Sequence, residues 1–264
     1  STSVDGSKIF IFILEPRHGL ITHEYENYRV LVENTAGKGI ATIWDHDILI
    51  FLISQLVRAN EDGADTSNNI RFTGYEFFQF HQRKWRRGIS GKHSYNRLWA
   101  ALERLHTTHI TTTIRPKGDI EEGEAQFYWL PHIEKMKRRS GDEVGYLVSL
   151  DQKLYDWISN TKNILTLNPN YFDLTGGLER YIYLWARKSV GTTNQNKEWS
   201  ERFDLIHEKS ASPLSKRHFY RLLRSVIAKN HLPTFFLQEE IGQKGSMLNA
   251  RMRTFDELPE LKLL

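Results

Sequence analysis

The stretch SGKHSYNRLWAALERLHTTHITTTIRP, residues 90–116, decides the predicted fold, because a basic amphipathic helix runs directly into a threonine-rich strand. At helical spacing, one face collects Tyr95, Leu98, Trp99, Leu102 and Leu105. The other face collects Lys92, His93, Asn96, Arg97 and Arg104. A packed back with a front of long basic and amide side chains is typical of a helix that enters the major groove of DNA. We expect the strand that follows to begin a β-wing.

The charge around this helix is more informative than the charge of the whole chain. The 264 residues carry 36 Lys and Arg against 32 Asp and Glu, a formal net charge of +4. From Arg83 to Arg104, seven basic residues meet one acid, Glu103, so the local charge is +6. Such a cluster suits phosphate groups, but for one isolated run a solvated helix face is the better explanation. A second basic run on an equivalent element is therefore needed to favour DNA.

Composition favours a cytoplasmic protein. The chain has no cysteine, which excludes disulfides and thiolate metal sites and fits a reducing compartment. The longest apolar runs, residues 9–14 and 48–53, are far shorter than the roughly 20 residues that span a bilayer. We recognise neither a membrane span nor a secretory signal. The length suits one large domain or two smaller ones.

Three helices followed by a sheet are predicted in the first half of the chain. The expected order is a strand over 25–33, a buried helix over 43–60, a helix capped by Thr73, the basic helix capped near Ser90 or Ser94, and strands with a turn at 117–124. Thr42 or Asp45 is the expected cap of the buried helix. This order is typical of a winged helix.

The second half repeats that order, with slight sequence identity. The expected elements are a connecting helix over 152–159, helices over 178–190, 200–209 and 213–230, and a two-stranded wing turning at IGQKGS. Ser212 is the expected cap of the third helix, with Pro213 at its first position. Its predicted packed face is Phe219, Leu222, Leu223, Val226 and Ile227. Its predicted front is Lys216, Arg217, Tyr220, Arg221 and Arg224.

The repeat predicts an α+β fold made of two tandem winged-helix domains. The expected divisions are an irregular N-terminal segment over 1–24, a first winged-helix domain over 25–150 and a second over 151–264. The second basic helix has the more uniform positive face, since no acid falls between Lys209 and Gln238. We therefore rank it as the stronger candidate for reading DNA.

Eleven residues are the predicted DNA-binding positions. Asn96, Arg97, Arg217 and Arg221 suit base edges, and Lys216 suits a phosphate. The full set is Lys92, His93, Asn96, Arg97, Arg104, Ser215, Lys216, Arg217, Tyr220, Arg221 and Arg224. For any one of them, a solvent-exposed side chain without a base contact is an equally good interpretation.

Signs of catalysis or cofactor binding are weak. The ATP-binding pattern GxxxxGK[ST] is absent, since Gly91 and Lys92 are followed by His93. The pair His106 and His109 straddles a helix end and a strand without a convincing third metal ligand. We expect no cofactor, no metal and no enzymatic activity. A metal-dependent origin nickase using a tyrosine such as Tyr155 or Tyr183 remains a less favoured alternative.

Several longer strings resemble the replication initiator protein A family of plasmids. They are GIATIWDHDILIFLISQL (39–56), RFTGYEFF (71–78), YNRLWAALERLHTTHITTTI (95–114), LTLNPNYFDLTGGLERYIYLWARK (165–188) and EKSASPLSKRHFYRLLR (208–224). The resemblance covers roughly residues 25–240. It implies a bacterial plasmid-encoded initiator without nuclease or ATPase activity, which binds repeated sequences in double-stranded origin DNA. It also implies help in opening the origin and recruitment of the host helicase and polymerase.

The expected function is therefore non-catalytic initiation of plasmid replication. The expected partners are origin DNA, host initiation proteins and, through the first domain, a second copy of the chain. A winged-helix transcriptional repressor is the main alternative, and autoregulation is compatible with both. Tandem direct repeats at an origin would favour initiation, whereas a promoter palindrome would favour repression.

Overall fold

The two halves of the chain form two compact units. The computed structural model describes residues 12–15, 17–25, 28–81, 92–113, 123–140, 143–159, 166–190, 198–254 and 257. The units divide between Ile164 and Leu165, and residues 12–15 group with the second unit. The basic loop residues Arg83 to Arg87, Ser90 and most of the turn at 117–124 lie outside the described residues.

The first unit is a mixture of helices and antiparallel strands. Its elements are β1 (Ile21–Tyr25), β2 (Tyr28–Asn34), α1 (His46–Glu61), β3 (Asn69–Phe72), α2 (Gly74–Phe80), α3 (Lys92–Thr107), β4 (Thr108–Thr112), β5 (Ala125–Tyr128), β6 (His132–Lys137), β7 (Glu143–Ser149) and α4 (Gln152–Ser159). Strand β1 lies in the segment that the sequence predicts to be irregular. Helix α4 belongs to this unit, where the Tyr155 hydroxyl donates to the Thr66 carbonyl at 2.8 Å.

Helix α1 forms the centre of the first unit. Phe51 is buried, and its ring centroid lies 5.3 Å from that of Phe72 and 5.6 Å from that of Phe77. Asp45 precedes the helix but makes no capping bond with its side chain. Its carboxylate instead accepts hydrogen bonds from the Thr42 backbone N–H and hydroxyl. Asp45, one of the two predicted caps, therefore stabilises the turn before α1 and does not cap the helix with its side chain.

Helices α2 and α3 approach each other closely. Thr73 caps α2 in a full capping box with Glu76, which confirms the predicted start of this helix. A Cβ added at Gly74 would lie 2.5 Å from the ring of Tyr95 on α3. Tyr95 also meets the Phe78 ring edge to face, at 5.2 Å. Glycine at position 74 therefore lets the two helices pack against each other.

The strands of the first unit belong to two sheets. One sheet has the order β3-β7-β6, and the other has the order β1-β2-β4-β5. The strand pair expected directly after α3 is present, because β4 pairs with β5, but β4 also pairs with β2, so this pair belongs to the four-stranded sheet and not to the sheet of β3, β7 and β6. The pairing of Val32 with Ile110 buries both side chains, which explains why the β-branched run HITTT joins that sheet.

The second unit has one sheet, three α-helices and a 3-10 helix (Pro169–Asp173) among its described elements, and the α-helices and strands follow in chain order. These are α5 (Gly177–Ser189), β8 (Glu198–Arg202), α6 (Phe203–Lys209), α7 (Lys216–Lys229), β9 (Phe235–Gly242) and β10 (Gly245–Met252). Residues 200–202, predicted as the start of a helix, are in β8 because they pair with β10. Helix α7 begins at Lys216 with Ser215 as its N-cap, so Ser212 and Pro213 lie ahead of it.

The two units share one chain order. Each has a helix, a short strand, two helices and a β-hairpin, as α1-β3-α2-α3-β6-β7 and α5-β8-α6-α7-β9-β10. In both three-stranded sheets, the short strand pairs with the last strand of the hairpin. The first unit adds β4 and β5 between its third helix and its hairpin. The predicted α+β class and the repeated order of elements are confirmed.

Candidate nucleic-acid interface

The front of α7 carries three cations that no described acid neutralises. Lys216, Arg217 and Arg221 are exposed. Within the described part of the chain, none of the three has a hydrogen-bond or ion-pair partner. Arg217 and Arg221 are four residues apart, so their side chains lie on one face of the helix. A polyanion such as DNA would find these charges available without breaking an existing contact.

The back of α7 anchors the helix in the second unit. Phe219, Leu223 and Val226 are buried, and the Phe219 ring lies 4.7 Å from that of His207 on α6. Leu222, predicted to belong to the packed face, is instead 42% exposed. It lies at the border of the apolar stripe, because a helix turns 100° per residue and the buried stripe centres near Phe219.

The C-terminal end of α7 is joined to the hairpin by one side chain. Asn230 ends the helix in the left-handed conformation, at φ 47°. Its amide nitrogen donates to the Leu237 carbonyl at 2.8 Å, and its amide oxygen accepts from the Leu237 N–H at 2.9 Å. Asparagine tolerates this conformation better than most residues. The helix end and β9 are therefore connected by a two-bond bridge.

Arg224 makes a second connection between α7 and the hairpin. Its guanidinium donates to both carboxylate oxygens of Glu239 on β9, at 2.9–3.1 Å, and to the Ser246 hydroxyl on β10 at 3.2 Å. These bonds hold the pKa of Glu239 below its ordinary value. Arg224 thus joins α7 to the hairpin, and its predicted contact with DNA stays a prediction.

Two other predicted residues of α7 are also engaged. Tyr220 is half-buried, and its ring meets the edge of Phe203 at 5.5 Å. Burial raises the pKa of this phenol. The Ser215 hydroxyl lies 3.1 Å from His218 Nδ1, one turn into the helix. Both side chains remain at the edge of the basic face, beside Lys216 and Arg217.

Helix α3 presents a shorter polar front than predicted. Lys92, His93, Asn96 and Arg97 are exposed, all within the first two turns. Ser94, considered as a helix cap, is instead inside the helix and buried. The exposed polar residues of α3 therefore lie at its N-terminal end.

The C-terminal half of α3 is occupied by ion pairs. Glu103 pairs with Lys38 at 3.2 Å. Arg104 donates to both oxygens of Asp45, at 2.9 Å and 2.6 Å. The Asp45 side chain is only 2% exposed and that of Arg104 is 25% exposed. Arg104 therefore secures α3 to the turn before α1, and its predicted contact with DNA stays a prediction.

The tip of the β9–β10 hairpin exposes an apolar and a basic side chain that are not among the predicted binding residues. Ile241 is 82% exposed at the end of β9, and Lys244 is exposed in the turn to β10. The sequence signal was available, since Ile241 is the one large apolar side chain in an otherwise polar IGQKGS turn. The sequence places a wing turn there as part of the expected DNA-binding surface, but none of its residues is among the eleven predicted positions.

The geometry does not favour the catalytic alternatives. His106 Nδ1 lies 2.7 Å from the Leu130 carbonyl, whereas His109 Nδ1 lies 3.2 Å from Glu33, so separate contacts occupy the two rings. Tyr183 is fully buried, and burial raises the pKa of its phenol, which disfavours the phenolate that a nickase needs. Among described residues, no three His, Asp or Glu side chains converge as metal ligands.

No helix in the described ranges is both long and apolar enough to cross a bilayer.

Comparison with solved structures supports the two-unit fold. The chain is similar to a selenomethionine crystal structure of domains 2 and 3 of RctB, with a TM-score of 0.65 and 12% identity. That match covers 96% of both chains. A second crystal structure of RctB domains 2–3 matches with a TM-score of 0.60 and 11% identity, over 94% of this chain and 96% of that one.

Comparison of sequences identifies the family. A protein of Wigglesworthia glossinidia brevipalpis, named "Putative replication protein", is 31% identical over 216 residues, which are 81% of this chain and 74% of that protein. Residues 3–237 match the family described as Replication initiator protein A. Because this match spans most of the 264 residues, the chain belongs to the replication initiator protein A family.

Proposed function

We propose that the chain initiates plasmid replication by binding repeated sequences in double-stranded origin DNA. The observation that carries the proposal is the front of α7, where three exposed cations have no partner among the described residues. A family whose members initiate replication must engage an origin, and this face is the strongest available DNA-binding surface. The proposed mechanism is binding and distortion of the duplex, without covalent chemistry.

Each unit is proposed to be a winged helix. The order helix, strand, helix, helix, hairpin supports this assignment, as does the three-stranded sheet in which the short strand joins the hairpin. In such a module the third helix enters the major groove, so α3 and α7 are the proposed recognition helices. Two modules on one chain suit one long site, or repeats about one helical turn apart.

The proposed contacts differ along the two helices. Arg217 and Arg221 are placed to read base edges, and Lys216 to bind a phosphate. Ser215 and Tyr220 border that face and are proposed as secondary contacts. The N-terminal front of α3, consisting of Lys92, His93, Asn96 and Arg97, is the proposed second surface. Arg104 and Arg224 stay predicted contacts, although carboxylates already hold them.

Recruitment of the host replication machinery and self-association are also proposed. The first unit has a four-stranded sheet that has no counterpart among the described elements of the second unit. This additional sheet is the proposed region for a homodimer, which would form through the first unit. Host helicase and initiation proteins are the proposed further partners, in keeping with the family.

A footprint on the plasmid origin tests the proposal. The full chain should protect directly repeated sites on the origin fragment and should bind a scrambled duplex of equal length more weakly. Substituting Arg217 and Arg221 together by alanine should remove the protection, while Lys38→Ala, which removes a cation paired with Glu103, should not. Protection restricted to a promoter palindrome would favour the repressor instead. Mg²⁺-dependent nicking of the supercoiled origin with covalent attachment would favour the nickase.

A further inference from the structure

We infer that the second unit has a binding site for a short apolar segment, which residues 12–14 of the same chain fill in the monomer and those of the second copy fill in a homodimer. Residues 12–15 form the strap, which lies ahead of the first unit in the sequence. The inference rests on the proposed self-association, since exchange of straps needs two copies. It adds a site on the second unit and names the segment that fits it.

All three apolar side chains of the strap are buried. Phe12, Ile13 and Leu14 are 4%, 3% and 8% exposed, whereas the next residue, Glu15, is exposed. The strap is not helical, so its successive side chains point in different directions. Burial of three in succession therefore needs protein on more than one side. A segment that merely rested on a flat surface would leave one of these side chains exposed.

The strap belongs to the second unit, although the first unit follows it in the sequence. Residues 12–15 group with the second unit, whereas Arg17 and the residues that follow it group with the first. The Arg17 carbonyl accepts a hydrogen bond from the Ile40 N–H at 3.0 Å, which fixes this position in the first unit. The second unit is thus completed by a segment from which the whole first unit separates it in the chain.

Noncovalent packing of the strap allows the strap of a second copy to take the same place. The contacts would be those that one chain already makes, so exchange between copies needs no new complementary surface. A protein of another sequence would have to match a site already shaped for Phe12, Ile13 and Leu14. A second copy of this chain is therefore the occupant that fits the site best.

The connection between the strap and the first unit is short and stiff. Glu15 ends the strap, and Arg17 is already bonded within the first unit. Pro16 stands between them in the sequence, and a proline favours extended conformations of the residue before it. A short, stiff connection hinders a strap from turning back onto its own chain. Such connections favour exchange between copies.

The strap leads into the region that is proposed for the homodimer. After the exposed residues His18, Gly19 and Leu20, the chain enters β1 (Ile21–Tyr25), an edge strand of the four-stranded sheet. Two copies joined at that sheet would each bring a strap close to the other copy. Exchange of both straps is reciprocal, which suits the closed two-fold symmetry of most homodimers.

Photochemical cross-linking in the full chain shows which copy holds each strap. Phe12 is replaced by the photoreactive residue p-benzoylphenylalanine, and isotopically heavy and light copies are mixed before irradiation. Cross-links to residues after 164 should join heavy to light copies in the dimer fraction and stay within one copy in the monomer fraction. The same photoreactive residue at Leu20, which is 58% exposed, is the control and should not cross-link to the second unit.

Substitution in the strap tests how much exchange contributes to the dimer. Ile13→Asp places a charge in the buried site and should raise the dimer dissociation constant roughly tenfold, which corresponds to a loss of about 1.4 kcal/mol. Leu20→Asp is the matched control, because it adds the same charge at an exposed side chain, and it should dimerise as the wild type does. Analytical ultracentrifugation over a range of concentrations measures these constants.

A longer connection tests exchange without altering the strap, and it carries the test if Ile13→Asp fails to fold. About six Gly and Ser residues inserted after Glu15 let the strap reach its own second unit without a tight bend. The dimer should weaken and the cross-links between copies should disappear. Thermal unfolding of the monomer should stay that of the wild type, because every contact of the strap is kept.

The outcomes distinguish this inference from the proposed self-association. If the wild type dimerises but all cross-links from position 12 stay within one copy, the exchange is wrong and the homodimer through the first unit stands. A variant with the longer connection that dimerises as tightly as the wild type would overturn the exchange as well. If the wild type remains monomeric at every concentration, both the exchange and the proposed homodimer fail.

Discussion

Single arginines on the two proposed recognition helices have different roles, although the sequence makes them look equivalent. Arg104 is bonded to the buried Asp45, whereas Arg221 is exposed without a partner among described residues. The sequence could not distinguish them, because Asp45 is 59 residues away from Arg104. It did predict correctly that both lie on helices. Neighbours that are distant in sequence decide whether a basic side chain is free to bind DNA.

Arg104→Ala is expected to destabilise the first unit. The substitution leaves the Asp45 carboxylate buried without its countercharge, which costs about 2–4 kcal/mol. Urea unfolding measures the loss. Adding Asp45→Asn should recover part of the stability, because the amide carries no charge and can still accept from Thr42. Arg104→Ala protein that remains fully stable, but loses DNA binding, would contradict this role.

Arg221→Ala is expected to affect which sequence is bound. A side chain that reads a base edge should lose about 1–3 kcal/mol of affinity for the origin repeat and relax the preference at one position. Competition gel shifts with single-base variants of the repeat measure both effects. Unchanged binding to cognate repeats would count against a base contact by Arg221.

Lys216→Ala is expected to weaken DNA binding without changing the sequence preference. A phosphate contact carries no sequence information, so cognate and random duplexes should be weakened equally. The slope of log K against log salt should fall by about 1. A salt titration of both duplexes provides the measurement. A loss confined to the cognate repeat would assign Lys216 to a base instead.

At the scale of elements, the ion pair between α7 and the hairpin predicts a pH-dependent stability. The folded pKa of Glu239 is lowered, so the pair stabilises the unit above the unfolded value of 4.5 and is lost as pH falls through the folded pKa. Glu239→Gln should cost about 0.5–1 kcal/mol at pH 7, since Arg224 is half exposed. Unfolding curves should show this difference narrowing below pH 4.5. A difference that persists in strong acid would show another cause.

Helices and strands could be predicted where the residues that determine them lie close together in the sequence. The Thr73 cap and the apolar stripe of α7 lie within one helix each; the cap is confirmed, and Phe219, Leu223 and Val226 of the predicted stripe are buried whereas Leu222 is exposed. Strands β3 and β8 were missed because they are four and five residues long and form by pairing with distant partners. The β4 sequence indicated a strand correctly, but its partner β2 lies more than 70 residues earlier. Sheet membership was therefore not readable from the run itself.

At the scale of the whole molecule, the repeated order of elements predicts two separable DNA contacts. The pair Lys92→Ala and Asn96→Ala should remove protection from one part of each origin site, and Arg217→Ala with Arg221→Ala from the other. Footprints of the two variants on the same fragment compare these regions. Loss of the same region in both variants would mean that the two helices do not bind separate segments. Retention of all protection in the α3 variant would leave DNA reading to the second unit.

The bridge from Asn230 to Leu237 has a consequence for the origin sequence itself. Together with the Arg224 contacts, this bridge holds α7 and the hairpin as one rigid body. The distance between their proposed DNA-contacting surfaces is therefore fixed. In the proposed complex, the duplex would then have to adapt to the protein. Base pairs that lie between the segments bound by α7 and by the hairpin would contact neither element. We expect easily bent pyrimidine–purine steps such as TA at these positions.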